Sequence, residues 1–62
     1  MEFPLHAQVM VKDGKYKGEY GVITQIHSGW YIGHSYTVQL DSQKVEVFRK
    51  QNLIFTKWDA RL

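Results

Sequence analysis

Basic side chains are the groups of this sequence best suited to bind another molecule. Lys12, Lys15 and Lys17 crowd one glycine-rich turn, and Arg49 is followed directly by Lys50. Lysine and arginine neutralise phosphate groups, and this supplies much of the affinity of proteins for nucleic acids. We therefore predict that these five residues contact the phosphates of a nucleic acid.

Aromatic residues near these lysines could add stacking. Tyr16 lies inside the basic turn, and Trp30 and Tyr31 follow His27 in a loop rich in glycine and serine. A base stacked on an aromatic ring contributes about 1–3 kcal/mol. We predict that His27, Tyr16 and Tyr31 belong to the binding surface. Trp30 has two possible roles, ligand contact or cover of the core, whereas Tyr36 is predicted to be a core residue.

Few residues are suited to catalysis or metal binding. The chain has no cysteine, which removes disulfides, thiolate chemistry and cysteine-based zinc sites. The histidines, His6, His27 and His34, are widely spaced, and the acidic residues are scattered. We therefore predict no metal, no cofactor and no catalytic residue. A shared site at the centre of a symmetric oligomer is the one enzymatic alternative.

The basic turn lies between two β-branched segments, residues 9–11 and 22–26. Gly14, Gly18 and Gly21 separate them. Glycine adopts positive φ without a steric penalty and lets two backbones approach closely. The pattern predicts a strand, a sharply shaped turn that carries the lysines into solvent, and a second strand.

This stretch resembles the KOW motif of ribosomal proteins and transcription elongation factors. The motif has the pattern Val-x-Val-x-x-Gly-x-x-Lys-Gly-x-x-Gly-x-Val/Ile-x-x-Ile, and residues 9–26 match it without a gap. The matching residues are Val9, Val11, Gly14, Lys17, Gly18, Gly21, Ile23 and Ile26.

The resemblance implies a small SH3-like β-barrel, a fold often used to hold RNA, a ribosome or a transcription complex, and it does not imply catalysis. By the same analogy, the first turn and the loop after the second strand share one rim of the barrel. The residues placed there are Lys15, Tyr16, Lys17, His27, Trp30 and Tyr31.

The rest of the chain predicts three more strands, at residues 36–40, 44–48 and 53–55. A polar turn at 41–43 joins the first two of these, and residues 49–52 fit a single 3₁₀ turn. The predicted fold is therefore all-β, a small five-stranded SH3-like barrel with a short 3₁₀ turn before the last strand, in one domain covering residues 1–62.

Several packing details follow from the alternation of side chains. Ala7, Val9 and Val11 should face the core, and Val45 and Val47 should share one face. Ile23 and Ile26 are three positions apart, so a bulge or bend is expected between them. Phe3 and Leu5, on either side of Pro4, should cover one open end of the barrel. In the tail after residue 55, Trp58 is the expected packing anchor.

The formal net charge of +2 is small for a dedicated nucleic-acid binder. We predict a non-enzymatic module that docks onto RNA, DNA or a ribosome or transcription complex. The alternative is a protein-interaction adaptor or small accessory subunit with an aromatic groove. Because Met1 starts the chain without a hydrophobic leader and no apolar run approaches about 20 residues, we expect a complete cytoplasmic protein with no membrane partner. The oligomeric state is open.

Overall fold

Five antiparallel strands form one sheet in the computed structural model, which describes residues 2–29 and 33–61. The order across the sheet is β4-β3-β2-β1-β5. Within the described ranges, no helix is long and apolar enough to cross a membrane. The elements are β1 (Gln8–Val11), β2 (Tyr20–His27), β3 (Ser35–Leu40), β4 (Val45–Arg49), a 3₁₀ turn (Lys50–Asn52) and β5 (Leu53–Lys57). This confirms the predicted five-stranded fold of the SH3-like type, with each element ending within two residues of its predicted limits.

The core lies on the inner face of this sheet. Ala7, Val9 and Val11 are fully buried, which confirms the predicted alternation along β1. The expected bulge in β2 is also present, because the register with β3 shifts between Ile23 and Gln25. The bulge places Ile26 opposite the buried Tyr36, so that Ile23 and Ile26 share the inner face although the latter stays 41% exposed.

At Gly21 of β2, the neighbouring strand β3 leaves no space for a side chain. A Cβ atom placed there would lie 2.5 Å from Val38 Cγ1 and 2.8 Å from the backbone oxygen of Gln39. The same residue pairs with Val9 on β1 and with Leu40 on β3. Only a residue without a side chain therefore fits where β2 crosses the core.

Stacked aromatic rings cover one end of the sheet. The Phe3 ring centroid lies 5.4 Å from that of Tyr36 and 5.9 Å from that of Phe55. The Phe3 amide also donates a hydrogen bond to the buried Tyr36 hydroxyl at 3.2 Å. Tyr36 is fully buried, which confirms its predicted place in the core. Trp58 meets Phe55 edge-on, with ring centroids 4.9 Å apart, although 60% of Trp58 is exposed.

The N-terminal segment covers this end with Phe3 alone. Phe3 is 8% exposed, as predicted, but the prediction for Leu5 is wrong because that residue is 45% exposed. The Ala7 amide bonds to the Pro4 carbonyl, and His6 adopts a positive φ of 71°. This tight turn directs Leu5 into solvent.

The outer face of β4 is apolar and exposed. Val45 and Val47 share one face, as predicted, and that face is the solvent side, where they are 58% and 61% exposed. Glu46 and Phe48 point to the inner side and are half-buried. The inward-facing side chains of β4 are therefore only half-buried and include a charge, whereas those of β3 are buried and hydrophobic.

Replacing Gly21 with alanine should destabilise the protein by about 1–3 kcal/mol, because the new methyl group meets both a core side chain and backbone. Urea unfolding followed by Trp fluorescence measures the change. Gln25→Ala, on the exposed part of the same strand, is the matched control and should change stability by less than about 0.5 kcal/mol. Equal effects of the two substitutions would contradict the steric explanation.

Candidate functional site

An open cleft of about 580 Å³ lies where the N-terminal segment, the end of β1 and the 3₁₀ turn meet. Its floor is apolar, formed by Phe3 and Leu53, and its walls carry Lys12, Lys50 and His34. We call this the basic cleft. Gly33 and Gln51 complete the lining among the described residues.

Backbone hydrogen bonds fix both lysines at the cleft. Lys12 follows β1 directly, and its amide donates to the Asn52 carbonyl at 2.7 Å. The Lys50 amide donates to the His34 carbonyl at 3.4 Å, which ties the 3₁₀ turn to the start of β3. Residues 38 positions apart in the sequence are thereby brought to one concave surface.

The charge of the basic cleft is mainly positive. Among the described residues, neither Lys12 nor Lys50 forms an ion pair. The Lys50 Nζ lies 5.8 Å from the Phe3 ring centroid, a distance typical of a cation–π contact. One carboxylate is close, because Glu2 Oε1 contacts His34 Nε2 at 2.6 Å. The cleft therefore offers two ammonium groups beside an apolar floor, a combination suited to an anionic ligand with an apolar part.

The first turn, residues 12–19, is shaped by its glycines. Gly14 and Gly18 both have φ of +88°, a conformation that favours glycine strongly. The Gly18 amide donates to the Val11 carbonyl at 2.9 Å, and the Lys17 amide donates to the Gly14 carbonyl at 3.2 Å. Lys15 and Lys17 are exposed, as predicted, whereas the turn directs Tyr16 towards the sheet.

Tyr16 makes structural contacts with β4. Its hydroxyl donates a hydrogen bond to Glu46 Oε2 at 3.0 Å, and its ring meets that of Phe48 edge-on, with centroids 6.1 Å apart. The ammonium groups of Lys15 and Lys44 lie 5.6 and 5.7 Å from the ring centroid. These four neighbours hold the Tyr16 ring against the fold. The ring therefore has a structural role in addition to its predicted role in stacking.

The surroundings of Tyr16 also change its acidity. The hydrogen bond to Glu46 is the main cause that raises the pKa of the Tyr16 hydroxyl, because it requires the proton. Desolvation and the negative charges of Glu46 and Glu19 act in the same direction. The neutral phenol is therefore the form that the fold stabilises.

His27 and Arg49 lie elsewhere, on the outer face of the sheet. They flank Ser35 in one row across β2, β3 and β4. The His27 Nε2 is 2.7 Å from Thr37 Oγ1. Among the predicted binding residues, the structure thus brings together Lys12 with Lys50, Lys15 with Tyr16, and His27 with Arg49, as three separate groups.

Two of the predicted binding residues, Trp30 and Tyr31, lie outside the described residues. Sequence reasoning missed Phe3 and His34 as cleft residues and Lys44 and Glu46 as neighbours of Tyr16. The only available signal was the alternation in β4, which turns Glu46 to the same side as Phe48. In ranges 2–29 and 33–61, no cluster of three or more histidine or acidic side chains could hold a metal ion.

Comparison with family models matches the KOW motif to residues 7–48, well beyond the eighteen residues on which the sequence resemblance rested. The matched region runs from the residue before β1 to the inward-facing Phe48 of β4. Searches of curated proteins and of solved structures found no match to this chain.

Replacing Tyr16 with phenylalanine should lower the stability at neutral pH, because Glu46 loses its hydrogen-bond donor. The pKa of Tyr16 is higher in the folded protein than in the unfolded chain, so this stabilisation is complete below about pH 10 and is lost as the pH rises through the folded-state pKa. The difference between wild type and variant should therefore shrink in alkaline solution.

Urea unfolding at a series of pH values from neutral to strongly alkaline measures this difference. Tyr20→Phe is the matched control, since no described hydrogen bond involves the hydroxyl of the exposed Tyr20. A Tyr16→Phe variant that is as stable as Tyr20→Phe at every pH would show that the contact with Glu46 contributes nothing.

Proposed function

Because this chain belongs to the KOW-motif family, we propose that it is a non-enzymatic module that binds nucleic acid through the basic cleft. KOW motifs generally occur in ribosomal and transcription-associated proteins that bind RNA or protein. The family therefore supports a binding role, and the choice of nucleic acid rests on the chemistry of the cleft.

The convergence of Lys12 and Lys50 on one concave surface carries this proposal. Two ammonium groups that form no ion pair within residues 2–29 and 33–61 can each replace a counterion of a phosphate backbone, which favours binding at low salt. The apolar floor of Phe3 and Leu53 offers a surface for the sugar or base of the same nucleotide.

The other predicted residues have secondary roles in this proposal. Lys15 and Lys17 are exposed on the first turn and can add phosphate contacts along a longer ligand. Tyr16 supports the turn that carries them, through Glu46. His27 and Arg49 lie on the outer face of the sheet, in one row with Ser35, and they extend the basic surface beyond the cleft.

The experiment is a salt titration of binding, measured by fluorescence anisotropy with labelled single-stranded and duplex RNA and DNA. We expect dissociation constants in the micromolar range at low salt and a steep loss of affinity as the salt concentration rises. For a single-stranded ligand, each lysine that contacts a phosphate should make the slope of log association constant against log salt concentration more negative by about 0.7.

The double variant Lys12→Ala/Lys50→Ala should therefore bind more weakly and with a shallower salt dependence than the wild type. Lys57→Ala, which removes one charge from an exposed residue at the opposite end of β5 from Leu53, is the charge-matched control for the single variants Lys12→Ala and Lys50→Ala. Lys15→Ala/Lys17→Ala measures the contribution of the first turn. Absence of binding at low salt, or equal losses in the single cleft variants and the Lys57 control, would refute the proposal.

A further inference from the structure

Strand β4 is an edge of the sheet. Its neighbour on one side is β3, and the strand order places no strand on its other side within the described residues. The pairing of β3 with β4 runs without a register shift from Gln39 opposite Val45 to Ser35 opposite Arg49. The edge is therefore straight and regular.

Two hydrogen bonds determine which backbone groups of β4 face outward. The Leu40 amide donates to the Lys44 carbonyl at 2.7 Å, and the Lys50 amide donates to the His34 carbonyl at 3.4 Å. Hydrogen-bonded and non-bonded pairs alternate along an antiparallel ladder, so the even-numbered residues of β4 bond to β3. Val45, Val47 and Arg49 then direct their N–H and C=O groups away from the sheet.

These outward groups have no described partner. The backbone hydrogen bonds outside the sheet, in residues 2–29 and 33–61, involve none of the three residues. Their side chains share the outer face, with Val45 and Val47 more than half exposed. Neither proline nor a bulge blocks this edge, so its protection against indiscriminate pairing is charge, from the inward-facing Glu46 and the basic residues at its ends, Lys44, Arg49 and Lys50.

The charges around β4 define what can pair with it. Lys44 precedes the strand, Arg49 ends it and Lys50 follows, whereas Glu46 is occupied by the Tyr16 hydroxyl. A second copy paired antiparallel about Val47 would set Lys44 of one copy opposite Lys50 of the other, so like charges would meet at both ends. The charge pattern favours a different, acidic strand.

We propose that β4 accepts an extended acidic segment of a partner protein as a sixth, antiparallel strand. Its apolar residues lie opposite Val45 and Val47, and its acidic residues lie opposite Arg49 and the two flanking lysines. Main-chain hydrogen bonds to the outward groups supply affinity, and the side chains supply selectivity, as in other strand additions. This site is centred on the main chain of β4 and shares Lys50 with the basic cleft. Val47→Pro tests the strand addition and Lys12→Ala tests the cleft, so the two proposals fail separately.

The probe is a capped, fluorescently labelled peptide with the sequence Glu-Asp-Thr-Val-Thr-Val-Glu. In the antiparallel pairing its first residue lies opposite Lys50 and its last opposite Lys44. We expect saturable binding by anisotropy. A peptide with lysine at the three acidic positions should bind at least about tenfold more weakly, because it repels the basic flanks. Equal binding of the two peptides would overturn the assignment of an acidic partner.

Val47→Pro removes one outward donor without removing a hydrogen bond to β3, since edge strands tolerate proline at such positions. It should weaken peptide binding by roughly tenfold, whereas the matched control Val47→Thr, which keeps the amide, should bind nearly as well as wild type. A folded Val47→Pro variant that binds the peptide normally would contradict strand addition.

Hydrogen exchange on the wild type gives an independent test that needs no variant. The amides of Val45, Val47 and Arg49 should exchange rapidly in the free protein and become protected by the peptide, while those of Glu46 and Phe48 are protected in both states. Unchanged exchange at the three odd-numbered residues under saturating peptide would refute the proposal. Sedimentation as a dimer that Val47→Pro dissociates would show that a second copy occupies the edge instead.

Discussion

Aromatic side chains, rather than a further ladder of backbone hydrogen bonds, cover the core between β4 and β5. These strands are the two edges of the sheet, so the hydrophobic interior between them must be covered in another way. Phe48 on β4 and Phe55 on β5 pack on the core, and Tyr16 joins Phe48 from the first turn. The turn thus contacts β4 through Tyr16, and through the Lys12 amide it bonds to Asn52 beside β5.

This constraint explains why the glycine-rich turn has its shape. A small domain buries a limited apolar area and depends on each large ring. Positive φ at Gly14 and Gly18 allows the chain to reverse so that Tyr16 points inward while its neighbouring lysines stay exposed. The residues that match the family motif therefore have a structural role first, and the basic surface results from the same turn.

The parts of the fold that the sequence could predict are those governed by local rules. Alternation identified the buried Val9 and Val11, and the odd spacing of Ile23 and Ile26 identified the bulge in β2. The prediction for Leu5 was wrong because the turn beside it depends on a positive φ at His6. Histidine is enriched among the non-glycine residues with this conformation, but few histidines adopt it, so the residue type alone does not identify the turn.

The sequence predicted the chemistry of the candidate site but not which of its residues lie together. The types of Lys12 and Lys50 indicated phosphate binding, but their convergence depends on the Asn52 and His34 carbonyls, which are distant in sequence from at least one of them. The bond between Tyr16 and Glu46 spans 30 positions and is equally hidden from local patterns. Such contacts follow from the register of the whole sheet, which no short segment determines.

An open sheet leaves two kinds of unsatisfied surface, and they differ in chemistry. Where the N-terminal segment meets the 3₁₀ turn, side-chain charges converge on an apolar floor. Along β4, the unpaired groups belong to the backbone, with valines beside them. A net charge of +2 is too small to attract ligands over long distances, so recognition must depend on where those charges lie. The cleft depends on side chains and the edge on main chain, and Lys50 is the one residue that both ligands would contact, so two ligands on this small domain would meet at that ammonium group.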